Sequence, residues 1–200
     1  MQQFLHVGCG PKYKERTTPG FNRPDWKEIR YDINPLTNPD IVGDVLDLKQ
    51  IETNSMDAVF SSHNIEHLYP HQVPICLREF HRVLVPYGHL VIVCPNLQEV
   101  AKYIAQGQLT TPLYTSNAGP ISAMDILYGH IESVKSGNEY MSHKTGFVKE
   151  SLLQEVKDAG FESAVAIARP APYFDLWMVA VKSKVNRAVL RNLAREHFPS

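Results

Sequence analysis

Two hundred residues, 44% of them apolar and 20% charged, describe one globular domain able to bury roughly 70% of its unfolded surface without covalent staples. Twenty Lys and Arg stand against 21 Asp and Glu, a formal charge of -1, so no basic excess favours nucleic acid or an anionic membrane surface. The start Met1-Gln2-Gln3-Phe4 lacks the charged-then-apolar order of a signal peptide, and no run of about 18 apolar residues occurs, so a cytoplasmic protein off the membrane is expected.

Phe4-Leu5-His6-Val7 reads as a strand ending at Gly8-Cys9-Gly10, and residues 28–31 as a second strand ending at Asp32. Pro11, Pro19, Gly20 and Pro24 crowd the segment between them, so that crossover is expected to be a loop with at most one short turn. Residues 40–42 predict a short third strand before Gly43-Asp44, and residues 56–62 a buried fourth. Apolar side chains at 73, 76, 77, 80, 83 and 84 follow one helical face, with Pro74 in the first turn, which predicts a helix over 73–84. Pro86-Tyr87-Gly88 reads as a turn, and the apolar run 89–94 as a fifth strand at the centre of a parallel sheet. Asn96 with Glu99 three residues on has the pattern of a capping box, opening a helix to about Gln106 that Gly107 stops. Helices are expected over 122–135 and 147–159, the second closed by Gly160 and the hydrophobic contact of Phe161. Residues 163–168 and 175–181 predict strands joined too tightly to be parallel neighbours, and 184–197 a last helix. The three cysteines, Cys9, Cys76 and Cys94, are odd in number and widely spaced, so reduced thiols are expected rather than disulfides or a Cys-based zinc site.

A strand, a glycine turn and a second strand ending in an acid 22 residues after Gly10 form the nucleotide-binding arrangement of a doubly wound sheet. Gly8 and Gly10 permit a tight turn and close approach of backbone to ligand, and Asp32 can accept two hydrogen bonds from ribose hydroxyls. Taken singly, the glycines also suit an ordinary turn, and Asp32 a cap beside Asn34-Pro35.

Several segments in order carry a more specific likeness. Leu5-His6-Val7-Gly8-Cys9-Gly10, Tyr31-Asp32-Ile33, Gly43-Asp44-Val45-Leu46-Asp47-Leu48, the stretch 56–68 with Glu66-His67-Leu68, Arg78 to Leu90, and 146–161 together resemble the class I S-adenosylmethionine-dependent methyltransferases, especially the compact branch often labelled type 11. The resemblance spans about residues 4–181. It implies an α/β fold with a doubly wound, mostly parallel seven-stranded sheet and an antiparallel last strand, the first crossover helix being short or missing. It also implies a single domain over 1–183, with a helical acceptor-covering insertion at about 96–145, and a C-terminal helix over 184–200. S-adenosyl-L-methionine is the implied cofactor, bound by Gly8, Cys9, Gly10, Asp32, Ile33, Asp44 and Val45, with Ser62 and His63 at its methyl end. The sequence departs from the family at His6, where an acid is usual, and at Val85 and Tyr87, which replace a usual lysine and glycine.

An activated methyl donor leaves the protein mainly a positioning task, holding a nucleophile in line and keeping water out. A hydroxyl acceptor would gain from a base that exchanges protons near neutrality, and His63 and His143 are the candidates by residue type. The expected acceptor is a small molecule or saccharide, with nucleic acid and membrane disfavoured. The segment 96–144, with Tyr103, Tyr114, Tyr128, Tyr140 and His130, is expected to cover it, although each tyrosine equally suits packing.

Three rivals bear on the same residues. A nicotinamide dehydrogenase wants a third glycine where Tyr13 stands. His63-Asn64-Ile65-Glu66-His67 matches the H-x-x-E-H of inverted zinc peptidases, yet follows a strand directly and meets Pro70, so no metal is expected there. A non-catalytic nucleoside-binding accessory subunit is the third. On the last helix Val185, Val189 and Leu193 form an apolar stripe beside Lys184, Arg187, Arg191 and Arg195, a docked helix or else a homodimer contact.

Overall fold

The computed structural model describes residues 1–199. In chain order the strands are β1 (Gln2–Val7), β2 (Trp26–Asp32), β3 (Ile41–Val42), β4 (Met56–Ser62), β5 (Leu84–Pro95), the short pair β6 (Pro112–Ser116) and β7 (Gly119–Ser122), then β8 (Ser163–Ala168) and β9 (Asp175–Val181). The helices are α1 (Val73–Val83), α2 (Leu97–Ala105), α3 (Ala123–Tyr128), α4 (Ile131–Lys135), α5 (Lys149–Asp158) and α6 (Arg187–His197). Seven strands form one sheet in the order β3-β2-β1-β4-β5-β9-β8, parallel except for β9, which runs against both neighbours. The chain moves outward from β1 to β3 and then restarts on the other side at β4, so the carboxyl ends of β1 and β4 flank a switch-point crevice.

The pleat of β1 divides the core. Leu5 and Val7 join Val73, Cys76, Leu77, Phe80 and Val83 of α1 and Leu152 and Val156 of α5 on one face. Phe4 turns to the other face, which the loop after β1 and the Leu193 side of α6 cover with no crossover helix between β1 and β2. Only one 3-10 turn, Lys14–Arg16, forms between β1 and β2. Phe21 stacks on Phe4 with ring centroids 4.3 Å apart, and Trp26 stands edge-on to Phe21 at 5.2 Å. A ring buried in this way contributes about 2–3 kcal/mol, so two aromatics do the covering that a crossover helix would otherwise do.

Four local expectations are corrected. Pro86-Tyr87-Gly88 is not a turn but part of β5: Met56 pairs with Leu84 and Ala58 with His89, so residues 85–88 bulge opposite Asp57. The helix expected over 122–135 is broken into α3 and α4 at Gly129, whose φ of +95° is not helical and beside which the Met141 carbonyl packs so closely that no Cβ fits. Between α2 and α3 the chain makes the β6–β7 hairpin, which Pro112 and Pro120 concealed, so the stretch 96–145 is not wholly helical. Asn96 stands at the start of α2, but no capping box forms; Glu99 binds Lys102 at 2.5 Å instead.

The last helix docks differently from its apolar stripe. Val189 is 42% exposed, whereas Leu193 and Phe198 pack on the Phe4–Phe21 face and His197 is buried. His197 Nδ1 lies 2.6 Å from Thr18 Oγ1, and its Nε2 lies 3.2 Å from Nε2 of His89. A buried polar chain, not only a hydrophobic seam, fixes α6. No described helix is long and apolar enough to cross a membrane.

Candidate active site

At the carboxyl end of β1 the chain turns through Gly8 and Gly10, both in the left-handed region at φ +58° and +53°. Asp32 at the end of β2 is buried, and its carboxylate accepts the Gly10 N–H at 2.7 Å and the Asn34 N–H at 2.8 Å. Each oxygen keeps a lone pair, so the acid both ties down the glycine loop and retains capacity for a diol. Space is open above Gly10, whereas Asn64 packs over Gly8 so closely that a Cβ there would lie 2.5 Å from Asn64 Oδ1. Cys9 lies in the loop interior; burial pushes its thiol up to about 11, and its N–H and C=O bond Tyr31 and Lys12.

One residue of this site went unsuspected. Arg30, 4% exposed, lies under the loop and gives its guanidinium to four backbone carbonyls: Gly10 (2.6 Å), Lys12 (3.1 Å), Thr37 (3.1 Å) and Asn38 (2.6 Å). Tyr13 covers it, with the cation 4.2 Å from the ring centroid. Where a crossover helix would hold the glycine turn, this fork staples it to the loop after β2. His6 pairs with Glu28 at 2.6 Å, and the other oxygen of Glu28 accepts the Lys14 N–H at 2.9 Å. The acid missing from position 6 is thus present beside it on β2.

The remaining expected residues spread along the same edge. Ile33 is exposed just beyond Asp32; Asp44 is exposed and accepts the Leu46 N–H at 2.9 Å; Val45 is buried in the core; Ser62 is half-buried at the end of β4. His63 follows at φ +50°, a strained conformation for a side chain of this size, with its N–H bonded to Val93 of β5 at 2.8 Å. Its ring is half-exposed, and Nδ1 stands 3.4 Å from Oε1 of Glu66.

His143 does reach this neighbourhood. Glu66 receives the Lys144 N–H on its backbone carbonyl at 2.8 Å, and the His67 and His143 rings meet edge to face at 4.8 Å. Glu66 is fully buried: burial pushes its carboxyl up, but His63, His67 and His143 together outweigh this and hold it below the usual carboxylate range. Burial pushes the His143 imidazole down, against the attraction of Glu66. Four groups of the sequence's candidate motifs therefore converge, His143 from a segment far along the chain that no spacing rule connects to His63.

Buried polar atoms without partners among the described residues mark the same end of the sheet: Asn64 Nδ2, both carboxylate oxygens of Glu66, and Asn96 Oδ1 at the end of β5. Unmet groups of this kind, enclosed at one end of the sheet, call for a polar partner.

Residues 5–92 match the family model described as a methyltransferase domain. The matched stretch holds the second half of β1, all of β2 to β4 and most of β5. Among solved structures, an S-adenosylmethionine-dependent methyltransferase from Archaeoglobus fulgidus aligns with 90% of this chain and 86% of its own at 16% identity and TM-score 0.60. The 1,6-didemethyltoxoflavin N1-methyltransferase of Burkholderia thailandensis, solved with its substrate and S-adenosylhomocysteine, aligns with 91% of this chain and 71% of its own at 16% identity and TM-score 0.55. A Haemonchus contortus phosphoethanolamine N-methyltransferase solved with S-adenosyl-L-methionine gives TM-score 0.56 at 14% identity over 92% of this chain, which spans about half of that protein (49%). No functionally curated sequence matches this one. The fold is that of the S-adenosylmethionine-dependent methyltransferases.

Proposed function

We propose, for a chain that carries a class I S-adenosylmethionine-dependent methyltransferase domain, transfer of a methyl group to an oxygen or nitrogen nucleophile of a small molecule or saccharide. The observation that carries this is the meeting, across the Gly8–Asn64 contact, of an Asp32-tied glycine loop and a polar His63–Glu66 pair at one sheet end. S-adenosylmethionine supplies an electrophilic methyl carbon on a sulfonium when bound. Gly8, Gly10, Asp32 and Ile33 hold the nucleoside part, and Asp44 and Ser62 border it. His63 takes the acceptor proton on Nε2, while the Glu66 carboxylate beside Nδ1 orients the ring and stabilises its cationic form.

The segment between β5 and α5, with the Tyr103 and Tyr114 rings against Phe174, forms the acceptor's cover. A small heterocycle is the substrate of the Burkholderia relative, an acceptor size that suits such a cover. The cysteines, all buried and unpaired, suit a reducing compartment such as the cytoplasm.

The test is release of S-adenosylhomocysteine across a panel of hydroxylated and aminated small molecules and monosaccharides. One acceptor should turn over, and His63→Gln should lower kcat about 10²- to 10⁴-fold with KM for the cofactor unchanged. Cofactor binding with no turnover on any class would favour a non-catalytic nucleoside-binding subunit.

A further inference from the structure

We infer that Glu66, His67 and His143 form a binding site for one first-row divalent cation of the zinc class, beside the methyl end of the crevice. One donor atom from each of the three residues lies within 4.8 Å of the others. Donors bound at about 2.0–2.2 Å to a shared ion stand roughly 3–4 Å apart, so closure takes about an ångström of side-chain rotation.

Orientation supports the assignment independently of distance. His67 Nδ1 lies 3.0 Å from the Ser142 carbonyl and His143 Nδ1 2.8 Å from that of Ile126. A carbonyl only accepts, so Nδ1 is the protonated nitrogen on both rings, and the lone pair is left on Nε2. Ligand histidines of metal sites are held in this way, one nitrogen on a backbone carbonyl and the other toward the ion. The third member is a fully buried carboxylate whose two oxygens have no hydrogen-bond partner, so that Oε2 in particular is free to meet an ion. Oε1 faces His63 at 3.4 Å and leaves Oε2 for an ion.

Two neutral imidazoles and one carboxylate match borderline cations such as Zn²⁺, Ni²⁺ or Fe²⁺ far better than Mg²⁺ or Ca²⁺, which prefer oxygen. The H-x-x-E-H pattern therefore contributes its last two residues, with His143 replacing the first. Three protein ligands leave coordination positions open, and the neighbouring crevice offers an acceptor oxygen to fill one. That last role rests on the methyltransferase reading; the site itself does not.

The experiment is equilibrium dialysis of the chelator-stripped 200-residue chain against Zn²⁺ and Mg²⁺, with Co²⁺ absorption as a second readout. One equivalent of Zn²⁺ should bind at micromolar concentration or tighter, Mg²⁺ should not compete, and Co²⁺ should show visible d–d bands. Glu66→Gln, His67→Asn and His143→Gln should each weaken binding at least 100-fold, while His71→Asn, on an exposed neighbour, should not change it. Should Glu66→Gln fail to fold, the two histidine variants carry the test. A folded wild type that retains no Zn²⁺, or binding unaffected by all three substitutions, would overturn the assignment. Calorimetry with S-adenosylhomocysteine in excess chelator separates this from the proposed function, because either site can then fail alone.

Discussion

Replacing Arg30 by methionine should lower the free energy of unfolding by about 3–5 kcal/mol and weaken S-adenosylhomocysteine binding at least tenfold. The side chain is buried and charged, and no carboxylate stands in ion-pair contact with it among the described residues; four carbonyl oxygens and the face of the Tyr13 ring compensate it. Hydrogen bonds to a charged group are worth about 1.5–3 kcal/mol each and do not add in full when they share one donor group. Methionine removes the charge and the donors together, leaving the Gly10, Lys12, Thr37 and Asn38 carbonyls unmet. Lysine keeps the charge but not the fork, so Arg30→Lys should recover less than half of the loss. Urea unfolding measures both, and an Arg30→Met protein within 1 kcal/mol of wild type would mean that the loop is held by something else.

A second large effect is acid lability between about pH 6.5 and pH 4. Burial lowers the imidazole of His89 to about 4; burial, then the neighbouring His89 and Arg23, lowers that of His197 to about 3. Both rings are therefore neutral in the fold while the unfolded chain takes up their protons near pH 6.5. The unfolded state binds more protons throughout that window, so stability is fully present above pH 6.5 and falls as pH drops toward 4. The loss should total about 4–6 kcal/mol, with a slope approaching about 2.7 kcal/mol per pH unit for two protons. The same protonation separates His197 from Thr18 and His89, so α6 should undock first, with earlier amide exchange in residues 187–197 than in β1. His89→Phe, stacked parallel to Phe21 as the imidazole is, should halve the slope. A pH-independent unfolding midpoint across this range would show that the two rings are solvated.

The legibility of the chain follows from what one-dimensional patterns encode. Strand ends marked by Gly8, Gly10 and Asp32 were legible because several segments in order carried the same reading, each one alone also suiting an ordinary turn or cap, and the parallel core was legible in the apolar runs of β4 and β5. The bulge at 85–88 was not, since Pro and Gly signal a turn equally well. Arg30 looked like any polar strand residue; the clue was indirect, a breaker-rich crossover with no helix to hold the glycine turn. The stripe Val185, Val189, Leu193 misplaced the docking of α6 because apolar periodicity cannot see a buried Thr18–His197–His89 chain. His143 comes to Glu66 through the Gly129–Ser142 bridge and the Lys144 N–H bond to the Glu66 carbonyl, tertiary contacts invisible to spacing.

The central claim is a nucleoside site at the carboxyl ends of β1 and β2, and isothermal titration of the chelator-treated protein with S-adenosylmethionine and S-adenosylhomocysteine tests it most directly. One site of micromolar affinity is predicted, weakened at least tenfold in Asp32→Ala, which removes the only acid at the end of β2. A folded protein that binds neither ligand, or an Asp32→Ala variant that binds both as wild type does, would contradict it.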